Sequence, residues 1–434
     1  MGELQIRYSD KSVSPWGGMY LLKEFMDRSG IFSKLEELDL PRPGSNAGYS
    51  PIEILQGFWL GLFVGASRYV HLEWLRGDET LKEIFNLRRF PSQSTYSRFF
   101  HKFGQGRNHR VFPSLQHWFF SQIDVGSLSV DLDSSVLTRY GEQEGAAVGY
   151  NPSKPGRPSH HPIMAFVSET RMVANAWMRP GNTAALSGIE GFLQETFDDV
   201  LKDHPIGLVR ADSGFYSQAF LEWLEARDYS YIVAVRFYEN LKYLVGGLTQ
   251  WSEVVPGLEV CNVEFQPLNG KKRKYVVVRK RLDTFPKAAG KRLFDDPTYR
   301  YSLFVSNLRL PAIEIFRLYN GRADAENRIK ELKYDFGADN FCLKDFFATE
   351  ASFRFSMVAY NLLALFRHQV LQSGSRLSTL RAHCFAIGSW ITHHANQRVL
   401  NLSVSKRKRS WMDGLFAQVR QTAPPYRFVS EKSK

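Results

Sequence analysis

Cysteine is scarce in this chain, and its scarcity removes two classes of explanation. Cys261, Cys342 and Cys384 are odd in number, widely separated and include no C-x-x-C pair. Neither a disulfide framework nor a structural zinc site is expected from them; all three should be buried as small hydrophobes. Long apolar runs are also missing. The longest, Ile54 to Ala66, is interrupted by Gln56 and bounded by Glu53 and Arg68, which is too short to cross a bilayer. The opening Met1-Gly-Glu-Leu-Gln-Ile-Arg7 lacks the charged-then-apolar pattern of a secretory signal. There is no lipidation motif or basic amphipathic helix to argue for a membrane surface, and no tandem repeat or low-complexity tract. An intracellular, cytoplasmic protein without a membrane partner is expected.

Negative charge is in short supply as well. Lys and Arg number 56 against 44 Asp and Glu, giving a formal charge of +12 and a pI near 9.4, and such a balance favours a polyanionic partner. The 434 residues, with 44% hydrophobic and 23% charged content, describe a soluble globular chain of two to four domains.

The first 125 residues read as helical. Ser50-Pro51-Ile-Glu53 places a cap before a proline at the first helical position, and aromatics recur through Tyr69, Trp74 and Phe85. The run Pro91-Ser92-Gln93-Ser94-Thr95-Tyr96-Ser97-Arg98 has hydroxyls, an amide and an arginine near a helix start. That suits a helix lying in a DNA groove, or an ordinary capped surface helix. From Gly126 the texture changes to strands at Leu128 to Val136, Pro162 to Val167 and Met172 to Met178. A helix near Thr183 to Leu201, a strand at Ile206 to Val209, a helix near Ser217 to Arg227 and a strand at Tyr231 to Val235 follow. This order predicts a mixed sheet with helices on its faces. Residues 237–307 are β-rich and basic and read as an inserted subdomain. Residues 308–375 return to helices, with a long one from about Asp345 to Leu371. Residues 376–434 form a basic C-terminal region containing Lys406-Arg-Lys-Arg409, either solvated or gripping phosphates. The expected division is therefore 1–125, 126–236, 237–307, 308–375 and 376–434.

The segment Tyr319 to Lys333 can be turned into geometry directly. On one continuous helix, at about 100° per residue, Arg322, Glu326 and Lys333 fall at roughly −60°, −20° and −40° from Tyr319. Asp324 and Glu331 point elsewhere. Tyr319 and Lys333 would then stand roughly 21 Å apart along the axis, a span that suits a polymer backbone better than one small phosphate. The alternative is a solvated face with i, i+4 ion pairs such as Arg322 to Glu326.

Three acids on different elements would suit two divalent ions, Mg²⁺ or Mn²⁺, which need hard oxygen ligands converging from several directions. Asp133 on the first strand, Asp212 after a later strand in Val209-Arg-Ala-Asp212-Ser-Gly214-Phe-Tyr216, and Glu326 are the candidates. Strand C-terminal ends are where open α/β sheets place their chemistry. Asp131 shares a face with Asp133 by the strand period of two, and spacing alone does not separate them. His160 and His161, adjacent on an extended segment, point in opposite directions. They would not chelate one ion together; a loop contacting phosphate through Arg157 and these imidazoles is the preferred reading, a structural turn the other.

These residues resemble a known family. Tyr319, Arg322, Glu326 and Lys333, with Asp133-Ser-Ser and Ala211-Asp212-Ser-Gly214-Phe-Tyr, are similar to the motifs of the DDE transposases of bacterial insertion sequences, in the group with a Y-R-E-K signature. The run Tyr140 to Pro162 looks like one branch of that group. The resemblance spans roughly residues 50 to 370. It implies an α/β fold, with an RNase H-like mixed sheet flanked by helices, a β-rich insertion and a helical N-terminal DNA-binding domain. It also implies a metal triad of Asp133, Asp212 and Glu326 holding two ions, with Tyr319, Arg322 and Lys333 on the DNA backbone. Trp251 becomes a candidate to stack on a flipped base, or a packed tryptophan of the insertion. The implied activity is cleavage at terminal inverted repeats and transfer of the 3′ hydroxyls to target DNA, by a nucleoid-associated protein that is a homodimer on DNA. A DNA-binding regulator derived from such an enzyme, and an RNase H-like nuclease without transfer, are the competing expectations.

Overall fold

The computed structural model describes residues 4–45, 48–268, 270–293, 298–395 and 397–428. They divide into two compact units: 4–124, 141–144 and 330–428 in one, 125–140 and 145–329 in the other. Five regions were expected. Residues 330–375 join the N-terminal helices because their long helix is apolar on nearly every side and needs partners all round.

In the helical unit, α1 (Pro51–Val64) begins as the sequence predicts. Ser50 Oγ accepts from the Glu53 backbone N–H (3.1 Å), and Glu53 Oε2 accepts from the Ser50 N–H (2.7 Å), satisfying two otherwise orphaned donors. Residues Tyr69–Gly77 form a 3₁₀ helix, with Trp74 on the surface rather than in the aromatic core. Helices α2 (Gln93–Phe100) and α3 (Gln105–Ser121) follow. The long helix packs against α1 and α3 and is buried along almost its whole length. Trp59 Nε1 donates to the Phe355 carbonyl at 3.0 Å, and Phe58 meets Phe100, and Phe103 meets Phe355, edge to face. The basic run of the C-terminal region opens a helix, Lys406–Gln421, with one buried stripe of Met412, Leu415 and Val419 and four exposed cations at Lys406 to Arg409.

The other unit is built on a nine-stranded sheet. Its strands in chain order are β1 (Leu128–Ser134), β2 (Ile163–Val167), β3 (Val173–Trp177), β4 (Ile206–Ala211) and β5 (Tyr231–Ala234), then β6 (Ser252–Val255), β7 (Leu258–Phe265), β8 (Arg273–Arg281) and β9 (Tyr299–Ser306). The spatial order is β6-β7-β8-β9-β5-β4-β1-β2-β3. β1 is antiparallel to β2 and parallel to β4, and β4 is parallel to β5, which is the RNase H-like arrangement. The stretch read as an inserted subdomain is instead an extension of this sheet. β9 pairs antiparallel with β5 through Phe304↔Ala234 and Ser306↔Ile232, covering backbone groups that an edge strand would leave unpaired. Helix α4 (Gln218–Glu225), capped by Ser217, connects β4 to β5. Helix α5 (Ala312–Asn320) lays Ala312, Ile315 and Phe316 on one sheet face against Leu208, Ile232, Val276, Val278 and Phe304. Core and extension thus share a single hydrophobic layer, and α5 packs across both. Of the three cysteines only Cys384 is buried; Cys261 and Cys342 are half-buried.

Candidate active site

Strand pairing brings the first two acids together. Across the parallel β1–β4 pair the register runs Asp131↔Arg210 and Leu132↔Ala211. Asp133 and Asp212 therefore come next, side by side on strands about 4.8 Å apart. Both lie at C-terminal strand ends, and the pleat turns both toward the face that carries Asp131 and Arg210. The Asp212 carboxylate accepts from the Gly214 backbone N–H at 2.9 Å, a local turn that holds it at the strand's exit.

Asp131 and Asp133, inseparable by spacing, are separated by their partners. Asp131 is fully buried and takes a two-pronged grip from Arg210, Nε to Oδ1 at 2.6 Å and Nη2 to Oδ2 at 2.9 Å. Asp133 is buried too, but meets a different cation: Arg322 Nη2 stands 3.0 Å from its Oδ2 and donates to the Leu132 carbonyl at 3.1 Å. The Ser134 backbone N–H donates to its other oxygen at 2.8 Å. Burial nevertheless pushes the Asp133 carboxyl up to about 6: the nearby Arg322 charge lowers it, and the negative charges of Asp212 and Glu326 raise it again. Arg322 is itself held above its ordinary range, the burial that opposes its charge being outweighed by the surrounding acids, Asp133 first. Its buried Nε has no hydrogen-bond partner among the described residues.

Tyr319 to Lys333 is not one helix. α5 ends at Asn320, Gly321 and Arg322 form a turn, and α6 runs from Ala323 to Tyr334. The single angular stripe and the roughly 21 Å span from Tyr319 to Lys333 expected from continuous winding therefore do not hold, because Tyr319 lies before the break and Glu326 and Lys333 after it. The cause is visible at the α5 C-terminus. The Leu318 carbonyl, one of the helix's orphaned acceptors, is taken by Arg210 Nη1 at 2.5 Å, while the Arg322 N–H turns back to the Tyr319 carbonyl at 2.9 Å. Arg322 is drawn inward and Tyr319 is left half-buried against Phe304, ring centroids 4.4 Å apart. Burial pushes the Tyr319 hydroxyl up to about 12.

Glu326 stays outside. Its side chain is 60% exposed and its Oε1 lies 3.9 Å from Arg322 Nη1. Among the described residues no three His, Cys, Asp or Glu side chains are gathered closely enough to hold a metal ion. Asp133 and Asp212 supply hard oxygens at adjacent positions and fit Mg²⁺ or Mn²⁺ in chemistry; Glu326, turned outward, is not gathered with them. On α6 the neighbouring Asp324 is held by Arg328 at 2.6 Å and Arg171 at 3.2 Å.

The other expected site residues scatter. Arg157 is exposed, its guanidinium 5.9 Å from the Tyr140 ring. His160 and His161 are buried rather than offered to phosphate: Arg139 Nε lies 3.0 Å from His160 Nδ1, and His161 Nδ1 lies 3.1 Å from the Thr183 carbonyl. The preferred reading of that loop fails for the two imidazoles, because Ser159 and His160 are strand residues in a small sheet with Leu137–Thr138 and Ala147–Val148. Trp251 is half-buried, donates to the Leu248 carbonyl at 3.1 Å, and has the Arg279 guanidinium 4.0 Å from its ring centroid. In the helical unit, Arg98 is exposed on α2 and Lys333 is half-buried in the last turn of α6. Arg210 was missed by sequence reasoning. Its signal was present in the strand period, which puts Arg210 two residues before Asp212 on the same face of the strand.

Residues 2–424 match a family model described as transposase DDE domain, group 1. No curated protein matches the chain. Among solved structures, the cryo-EM synaptic complex of piggyBac transposase with hairpin DNA is similar at a TM-score of 0.44 and 12% identity, over 95% of this chain and 84% of that one. With the family model matching almost end to end, the chain belongs to the DDE-domain transposases, group 1.

Proposed function

We propose that this transposase binds the terminal inverted repeats of an insertion sequence, cleaves at the element ends and joins the freed 3′ hydroxyls to target DNA, with Asp133, Asp212 and Glu326 as the acid set. The observation that carries the reading is the side-by-side exit of Asp133 and Asp212 from parallel strands, with Asp133 pushed up to about 6. A carboxyl so placed gains from a nearby cation. Asp133, Asp212 and Glu326 would hold two divalent ions, Mg²⁺ or Mn²⁺, which would supply activation of the attacking water or hydroxyl and stabilisation of the leaving 3′ oxygen.

The chain's own groups do the positioning. Arg322 holds the Asp133 carboxylate and keeps one buried donor, Nε, for a phosphate oxygen. Tyr319 presents a neutral hydroxyl that donates to the strand. Lys333, Arg157 and Arg98 add sequence-independent grip on the backbone, and Trp251 contributes stacking once Arg279 leaves its ring. Joining two ends calls for two copies, so a homodimer on DNA is part of the proposal. Substituting Asp212→Ala or Glu326→Ala is expected to leave end binding intact and abolish Mg²⁺-dependent cleavage of an end-bearing duplex; cleavage that survives either change refutes the site.

The outward Glu326 favours a second reading, a DNA-binding regulator derived from such an enzyme. It predicts salt-sensitive end binding with no nicking by the wild-type protein at any Mg²⁺ or Mn²⁺ concentration.

A further inference from the structure

Arg210 is 4% exposed and makes four hydrogen bonds to three different parts of the unit. Two go to Asp131 on β1. A third, from Nη2 to Ser168 Oγ at 2.9 Å, reaches the turn after β2, and the fourth, from Nη1, ends on the Leu318 carbonyl of α5. Only the last of these reaches a helix, and it lands one residue before Tyr319 and four before Arg322. A second arginine acts on the other side of the break: Arg328, on α6, donates to the Val167 and Ser168 carbonyls at 3.1 and 3.3 Å. The Gly321-Arg322 turn is thus tied to the β2–β3 corner on one side directly, through Arg328, and on the other by way of Arg210 and its bond to Ser168.

From this geometry we infer that Arg210, oriented by Asp131, is a positioning residue for the reaction: it sets the α5 end so that Arg322 meets Asp133 and Tyr319 faces the site. A guanidinium is suited to this because its planar fork makes directed bonds to several partners at once, which an ammonium does not. A purely structural ion pair needs only Asp131; the bond to Leu318 adds a helix end that the sheet core does not require. Gly321 completes the fit. A Cβ there would stand 2.6 Å from Arg210 Nη1, although its backbone, at φ −57° and ψ −23°, is one that alanine adopts freely.

The inference rests on the proposed cleavage chemistry, and its test separates the two. Arg210→Lys and Gly321→Ala are compared with Val277→Ala, a β8 core truncation, as a control for lost stability. Hydrogen exchange of amides 317–326, end affinity and single-turnover cleavage rate are measured for each. Both site variants are expected to speed exchange in 317–326 and to slow cleavage 10- to 100-fold, on the order of what a misplacement of about 1 Å costs, with end affinity within about twofold of wild type. Val277→Ala should lower the melting temperature without either effect. Unchanged exchange in 317–326 for Gly321→Ala overturns the positioning role even if wild-type cleavage is never detected. Absence of wild-type cleavage, with exchange responding as expected, overturns the proposed chemistry alone. Faster exchange with a wild-type cleavage rate overturns the link between them.

Discussion

Two rows of the β1–β4 pair stand one strand period apart and have opposite characters. In the inner row Asp131 and Arg210 are matched: fork to carboxylate, both buried, with all three guanidinium nitrogens hydrogen-bonded. In the rim row Asp133 and Asp212 put two acids side by side, and one cation, Arg322, comes in from another element with a donor to spare. The same two strands thus hold a closed electrostatic arrangement and an incomplete one. An incomplete row is a poor way to stabilise a fold and a good way to bind something charged; the inner row supplies the rigidity that lets the rim stay incomplete.

The sharpest way to break this contrast is to open the inner row. Asp131→Ala leaves a buried guanidinium without its carboxylate and is expected to cost about 3–5 kcal/mol, read as a lower midpoint in denaturant unfolding. An effect no larger than that of an ordinary surface substitution would mean the inner row is not the anchor described.

The rim should respond in the opposite sense, through pH. The Asp133 carboxyl lies at about 6 in the folded protein against an ordinary 3.8, so the folded state binds this proton more tightly than the unfolded chain. Its contribution is therefore present below about pH 4 and is lost as pH rises through 6, by about 3 kcal/mol in all. Asp133→Asn removes that dependence, so the stability of the variant relative to wild type should climb between pH 4 and 7. Mg²⁺ should shrink the difference, because a cation favours the ionised carboxylate. A difference that stays flat with pH contradicts the burial and charge crowding assigned to Asp133.

Most of the sheet was legible because alternation and turn chemistry are local. Leu128 to Val136, Ile206 to Val209 and Tyr231 to Val235 lie where strands form, and Ser50 caps the helix it precedes. What was not legible depends on distant partners. Nothing near Gly321 in the chain announces that Arg210, more than a hundred residues earlier, will take the Leu318 carbonyl and divide one helix into two. His160 and His161 read as exposed because the sequence does not say that a short strand there pairs with Leu137–Thr138. The extension strands read as a separate body because register with β5 is a tertiary fact. The acid pair was legible as candidates, and the open position of Glu326 was not, since it depends on how α6 is tethered through Arg328 rather than on helix period.

The mildest change probes whether the inner row works as a whole or bond by bond. Ser168→Ala deletes one acceptor of Arg210 Nη2, which keeps its bond to Asp131. A hydrogen bond lost with its donor still partly satisfied costs about 1 kcal/mol, so the unfolding midpoint should fall by much less than for Asp131→Ala. If the row is graded, exchange at 317–326 should rise only slightly, since the Leu318 bond comes from the other terminal nitrogen. If Ser168→Ala instead loosens 317–326 as much as Gly321→Ala does, the guanidinium is held cooperatively, and the anchor is the β2–β3 corner together with Asp131 rather than the carboxylate alone.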